Sequence, residues 1–145
     1  MNKEELVYRT CIVLVRHFIN LTEYGSGGFH TRIFQHILHP EYEFVGAGKS
    51  KEVISGSAAY PEHVVPCAVL IRETRQLIDM KEYAVEEIAR LLQKNWKVVM
   101  ITPEQAQYID HKLGYKSSMP DGWDFKTGDT FVRLKAANIR IITDN

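Results

Sequence analysis

Apolar side chains recur at intervals of three and four over the first 22 positions: Leu6, Val7, Thr10 or Cys11, Leu14, Phe18 and Leu21. That spacing lays one stripe along a helix and predicts a helix over 3–22. The "GSGG" stretch at 25–28 ends it. A second, shorter helix is expected over 29–38, stopped by Pro40. The segment "YEFVGAGKSKEVI", 42–54, reads as two short strands around a glycine turn.

The stretch "YPEHVVPCAVLIRE", 60–73, turns helical after its second proline. Helices are predicted over 67–79 and about 82–94. The second of these buries Val85, Ile88, Leu91 and Leu92, with Glu86 and Arg90 as an i,i+4 pair on its wet face. "KVVMI", 97–101, has the unbroken apolar character of a buried strand. Thr102, Pro103 and Gln105 supply an N-cap, an N1 proline and a capping-box partner for a helix to Leu113, with Gly114 just past its end. Residues 115–128 form a long loop. Asp129 caps a final helix to about Ala137, and "IRIIT", 139–143, is a last strand. The expectation is α+β, a single compact domain over 1–145, mostly helices with a few short strands.

Composition narrows the classes. Apolar and charged residues occur in globular proportions, and no apolar run reaches the roughly 20 residues of a spanning helix. The N-terminus lacks the apolar core of an export signal, so a cytoplasmic location is expected. Cys11 and Cys67 are too few for a disulfide framework or a four-thiolate zinc site. Eighteen basic residues balance eighteen acidic ones, so any nucleic-acid contact must be a local patch.

Candidate chemistry is then weighed residue by residue. "GAGKS", 46–50, lacks the upstream glycine of a phosphate-binding loop, because Glu43 stands there; a turn with exposed lysines is expected. His30, His36 and His39 point in different directions on a helical wheel, which leaves one packed and two solvated. His17, between Leu14 and Phe18, is expected in the core or at its boundary. Cys67 shares a helix face with Leu70, Ile71, Thr74, Leu77 and Ile78 and is placed on the core side. His63 has three readings: a base, one arm of a metal site with Cys67, or a histidine that packs. It lies just before a helix N-terminus, whose positive field disfavours the imidazolium and attracts anions. The ring is therefore expected to stay neutral near pH 7 and to accept a proton. Glu62 would orient it or bind a divalent cation. Lys49, Lys51, Arg72 and Arg75 would supply positive charge to a nucleic acid. Trp123 and Phe125 in the long loop would stack a base, fill a partner's pocket or cover the core.

"EHVVP", 62–66, resembles the acid–His–apolar–apolar–Pro signature that opens the metal-binding finger of HNH-type (His-Me finger) endonucleases. The resemblance implies His63 as general base, Glu62 as a possible ligand and a divalent metal, Mg or Zn, as cofactor. In that family a later Asn or His on a helix completes the finger, and the nearest such residues here are Asn95 and His111. The wider layout, "EHVVPC" followed by Met119, Pro120, Gly122 and Trp123, is similar to proteins of phages and integrated mobile elements. The resulting expectation is metal-assisted phosphodiester hydrolysis of nucleic acid. Its alternative is a non-enzymatic phage or mobile-element protein that binds and inhibits a host factor, such as a defence complex, through the 115–128 loop.

Overall fold

A computed structural model describes residues 1–143 of the chain. Helix α1 (Lys3–Tyr24) begins where the Asn2 carboxamide accepts a hydrogen bond from the Glu5 N–H, and ends at Gly25, whose φ of 93° only glycine adopts cheaply. Short helices α2 (Ile33–Ile37) and α3 (Glu41–Val45) lead into strand β1 (Gly46–Ser50). A single turn, α4 (Lys51–Ile54), precedes strand β2 (Tyr60–His63). Helices α5 (Cys67–Met80) and α6 (Val85–Asn95) cross back to strand β3 (Val98–Ile101). Helix α7 (Pro103–Gln107) widens into a π-helical turn over Tyr108–Lys112, and α8 (Val132–Ala136) precedes the two-residue strand β4 (Ile141–Ile142).

The sheet order is β2-β3-β1-β4, with β1 parallel to β3 and the other pairs antiparallel. Strand β3 is uniformly apolar because both faces are covered. Val98 joins the larger core, made chiefly by α1, α5 and α6 with Trp96 at its centre. Val99 and Ile101 face a smaller core with Val64, Ile109 and Leu134. A fully buried Phe18 or Leu92 contributes roughly 1.5–3 kcal/mol relative to exposure. The α+β class and the mixture of helices with short strands are as the sequence predicts; positions 144 and 145 lie outside the described residues.

Several local expectations change. The 42–54 segment is helix, strand and helix rather than two strands, and "GAGKS" is an inner strand rather than a turn. Gly48, at φ 130°, makes this possible: a Cβ there would collide with the Ile142 carbonyl of β4, and the pairing register with β3 shifts beside it. Glycine spacing suggested a turn; tertiary pairing made it a bulged strand. The helix expected over 29–38 contracts to its last turn, and His30, His36 and His39 are all exposed, so none of the three is packed. His17 is likewise exposed rather than a core or boundary residue, since the buried stripe runs through Cys11, Leu14, Val15 and Phe18. The last strand keeps only two residues of "IRIIT".

The loop after Gly114 is closed rather than open. Phe125 is buried, Trp123 packs edge-on against it, and the Trp123 indole N–H donates to the Asp129 carbonyl. Buried Asn95 donates to the Leu91 and Phe125 carbonyls and accepts from the Thr130 hydroxyl. Among the described residues no helix is long and apolar enough to cross a membrane.

Candidate active site

Strand β2 is an edge strand, and its alternation sorts the two residues of the "EH" pair onto opposite faces. His63 sits opposite Val98 and shares the face of the larger core; Glu62 sits opposite Val99 and faces the smaller one. The pair does not act as one unit, because each side chain belongs to a different network.

On the Glu62 side stands Arg133, buried to 1% exposure. All five of its N–H donors are engaged. Nε and Nη2 donate to the Tyr115 carbonyl at 3.0 and 2.6 Å, and Nη1 donates to the His63 and Val64 carbonyls at 2.9 and 3.1 Å. Nη2 also meets Glu62 Oε1 at 3.2 Å, with Asp110 at 3.9 Å. Burial holds this guanidinium below its usual range, against the pull of Glu62 and Asp110. Burial likewise lifts the Glu62 carboxyl, with Arg133 opposing. The expected role of Glu62 as orienter of the His63 ring is corrected: its recorded side-chain partner is Arg133.

On the His63 side, Nε2 lies 2.7 Å from Glu41 Oε2, and the same oxygen accepts the Trp96 indole N–H at 2.7 Å. Glu41 opens α3, just after Pro40, and Trp96 closes α6, so two elements distant in sequence orient the ring. The Cys67 thiol lies near enough to the ring to act on its charge, whereas the ring's hydrogen bond is the one to Glu41. Burial disfavours the charged ring, but interactions with Cys67 and Glu41 outweigh it, and the His63 pKa is pushed up to about 10. The expected neutral ring is thus corrected to an imidazolium at neutral pH.

Cys67 is the first residue of α5, a 14-residue helix. It packs partly against the core but is not sealed in it, contrary to the helical-wheel placement, and it lines a cleft of about 250 Å³ with His63, Thr31, Tyr60, Asp110 and Lys116. As the first two residues of the helix, Cys67 and Ala68 have N–H groups without an intrahelical acceptor, and both residues line this cleft. A cysteine at a helix N-terminus beside an imidazolium is the setting that stabilises a thiolate nucleophile. Cys11, by contrast, is fully buried, and burial pushes its thiol up to about 12.

The proposed basic patch does not assemble as one. Lys49 and Lys51 lie on or after β1, which β3 separates from β2. Arg72 and Arg75 lie on α5 beside the cleft. Trp123 is turned onto the core, Asn95 is a buried hub of the loop, and His111 is exposed on the π-helical turn. Among the described residues no group of three or more His, Cys, Asp or Glu side chains is arranged to hold a metal ion.

Glu41, Trp96 and Arg133 escaped the sequence reading because each works across a long gap in the chain. Arg133 left a trace: a cation set among the apolar residues Phe131, Val132 and Leu134. No family model matches the chain, and no curated protein and no solved structure matches it either.

Proposed function

We propose that the protein is a cysteine-dependent enzyme of the acyl-transfer or hydrolase class. One observation carries this reading: His63, hydrogen-bonded to Glu41, and Cys67, the first residue of α5, line the same cleft. In the proposed cycle the Cys67 thiolate attacks the carbonyl carbon of an ester, amide or thioester. The N–H groups of Cys67 and Ala68 receive the developing oxyanion. The His63 imidazolium gives its proton to the departing alcohol, amine or thiol, leaving a thioester on Cys67. Water then attacks that thioester, the neutral ring takes one of the water's protons, and collapse releases the carboxylic acid and restores the Cys67 thiolate beside the imidazolium. Glu41, itself steadied by Trp96, keeps the ring oriented and favours its charged form.

The test is acylation by p-nitrophenyl acetate. A burst of about one p-nitrophenol per protein is the kinetic mark of a covalent acyl-enzyme. It is expected in the native chain, absent in Cys67→Ser, and slowed in His63→Ala and Glu41→Gln. A burst that survives Cys67→Ser would overturn the reading.

Metal-assisted phosphodiester hydrolysis with His63 as base is the second reading, favoured by His63, Glu62, Asp110 and Lys116 bordering one cleft. Nε2 of the ring is taken by Glu41 and the ring is held in its charged form, which weighs against a base. Incubation with plasmid DNA and RNA plus Mg²⁺, Mn²⁺ or Zn²⁺ separates the two. Cleavage lost in His63→Ala but retained in Cys67→Ser supports the nuclease, whereas the thiol mechanism requires both residues.

A further inference from the structure

The Cys67 cleft continues into a second one of about 420 Å³, the two sharing Thr31 and Ala68 on their walls. The floor of this extension is one face of α5: Ala68, Arg72, Arg75, Gln76 and Asp79 follow at helical spacing. With a rise of about 1.5 Å per residue, Arg72 and Arg75 stand roughly 6 and 10 Å along the axis from Ala68.

Arg75 is held in place without a carboxylate partner. Its guanidinium lies over the Phe29 ring, 4.7 Å from the centroid, and the Gly27 backbone passes so close that a Cβ there would sit 3.6 Å from Nη1. No ion pair of Arg75 occurs among the described residues. Arg72 meets only Glu73, at 3.8 Å and half-exposed, a contact too weak and too wet to occupy the cation. Of the acids lining either cleft, Glu62 and Asp110 face Arg133, and only Asp79, at the far end, faces the extension. The groove therefore presents two underused guanidinium groups roughly one and two turns along α5 from its start.

We infer that the substrate of the Cys67 site is an extended peptide carrying an aspartate or glutamate two to three residues from the reacting carbonyl, its carboxylate seated on Arg72 and Arg75. An extended chain advances about 3.3 Å per residue, which matches the 6–10 Å spacing. The planar guanidinium fork suits a carboxylate. This inference rests on the reading of Cys67 as the nucleophile.

Two thiol-directed probes test it: iodoacetyl-Ala-Ala-Asp-amide and its neutral isostere iodoacetyl-Ala-Ala-Asn-amide. Rates of Cys67 labelling are read by intact mass on the full chain. At low salt the Asp probe is expected to label about fivefold faster or more, as a favourable close ion pair allows. The ratio should fall toward one in Arg72→Gln/Arg75→Gln and, in the native chain, at about 0.5 M salt, where exposed charges are screened. Equal rates for the two probes in the native chain overturn the acidic subsite and leave the thiol reading intact. Failure of both probes to label Cys67, in a protein whose denatured form labels readily, overturns both. Suppression of both probes by a single-stranded oligonucleotide at micromolar concentration overturns the peptide assignment in favour of nucleic acid.

Discussion

Glu41 and His63 stand 22 positions apart in the chain and 2.7 Å apart in space, carboxylate oxygen to Nε2. The contact ties the start of α3 to the end of the edge strand β2 and sets the charge of the ring that faces Cys67. Four measurements probe the arrangement from different sides.

The first is titration. The His63 ring, observed by NMR, is expected to lose its proton near pH 10 in the native chain. In Glu41→Gln the value should drop by about one to three pH units, the range an adjacent opposite charge commands. Because the folded pKa lies above the ordinary 6.5, the stabilisation is fully present below that value and is lost as pH rises toward 10. Urea unfolding should therefore show a fall in stability between pH 7 and pH 10 that is smaller in Glu41→Gln.

The thiols should differ sharply. At pH 7, iodoacetamide is expected to alkylate Cys67 and spare Cys11, which is buried and held protonated by that burial. His63→Ala should slow Cys67 alkylation by about tenfold, the scale of losing a neighbouring cation that stabilises a thiolate. Peptide mapping by mass spectrometry reads both sites at once, and comparable labelling of the two would contradict the assignment.

Arg133 is expected to be among the costliest positions in the molecule. Arg133→Met strands the Glu62 carboxylate and three carbonyls, at about 3–5 kcal/mol. Arg133→Lys should recover little, since an ammonium cannot match a fork with five donors engaged. Because its partners include the His63 and Val64 carbonyls just before α5, even a folded variant should alkylate Cys67 more slowly. Denaturant melts and alkylation rates on the same samples check the two effects.

Thr74 offers the opposite sign. Its hydroxyl is buried and has no hydrogen-bond partner among the described residues. Thr74→Val keeps the shape and removes an unsatisfied polar group, so a gain of about 0.5–1.5 kcal/mol is expected by chemical denaturation.

Much of the helical layer is legible in the chain because helices are written in local spacing. The stripe through Val7, Cys11, Leu14 and Phe18 and the capping box of Thr102 with Gln105 appear in space where the pattern puts them. Strand β1 was less legible, since "GAGKS" becomes a strand only when β3 and β4 flank it and Gly48 lets the Ile142 carbonyl pass.

For the candidate site, the residues of "EHVVPC" were visible as chemistry, but their states were not. His63 directly follows Glu62 on the strand, and the pleat sends them to different partners 22 and 71 positions away. Local sequence by itself determined which segments coil and which residues could react, because backbone hydrogen bonds and apolar periodicity act over a few residues. Only the tertiary structure decided that His63 is charged, that Arg133 holds its backbone and that Cys67 meets an open cleft. Charge and burial depend on whatever the fold brings near, and neighbours in space need not be neighbours in the chain.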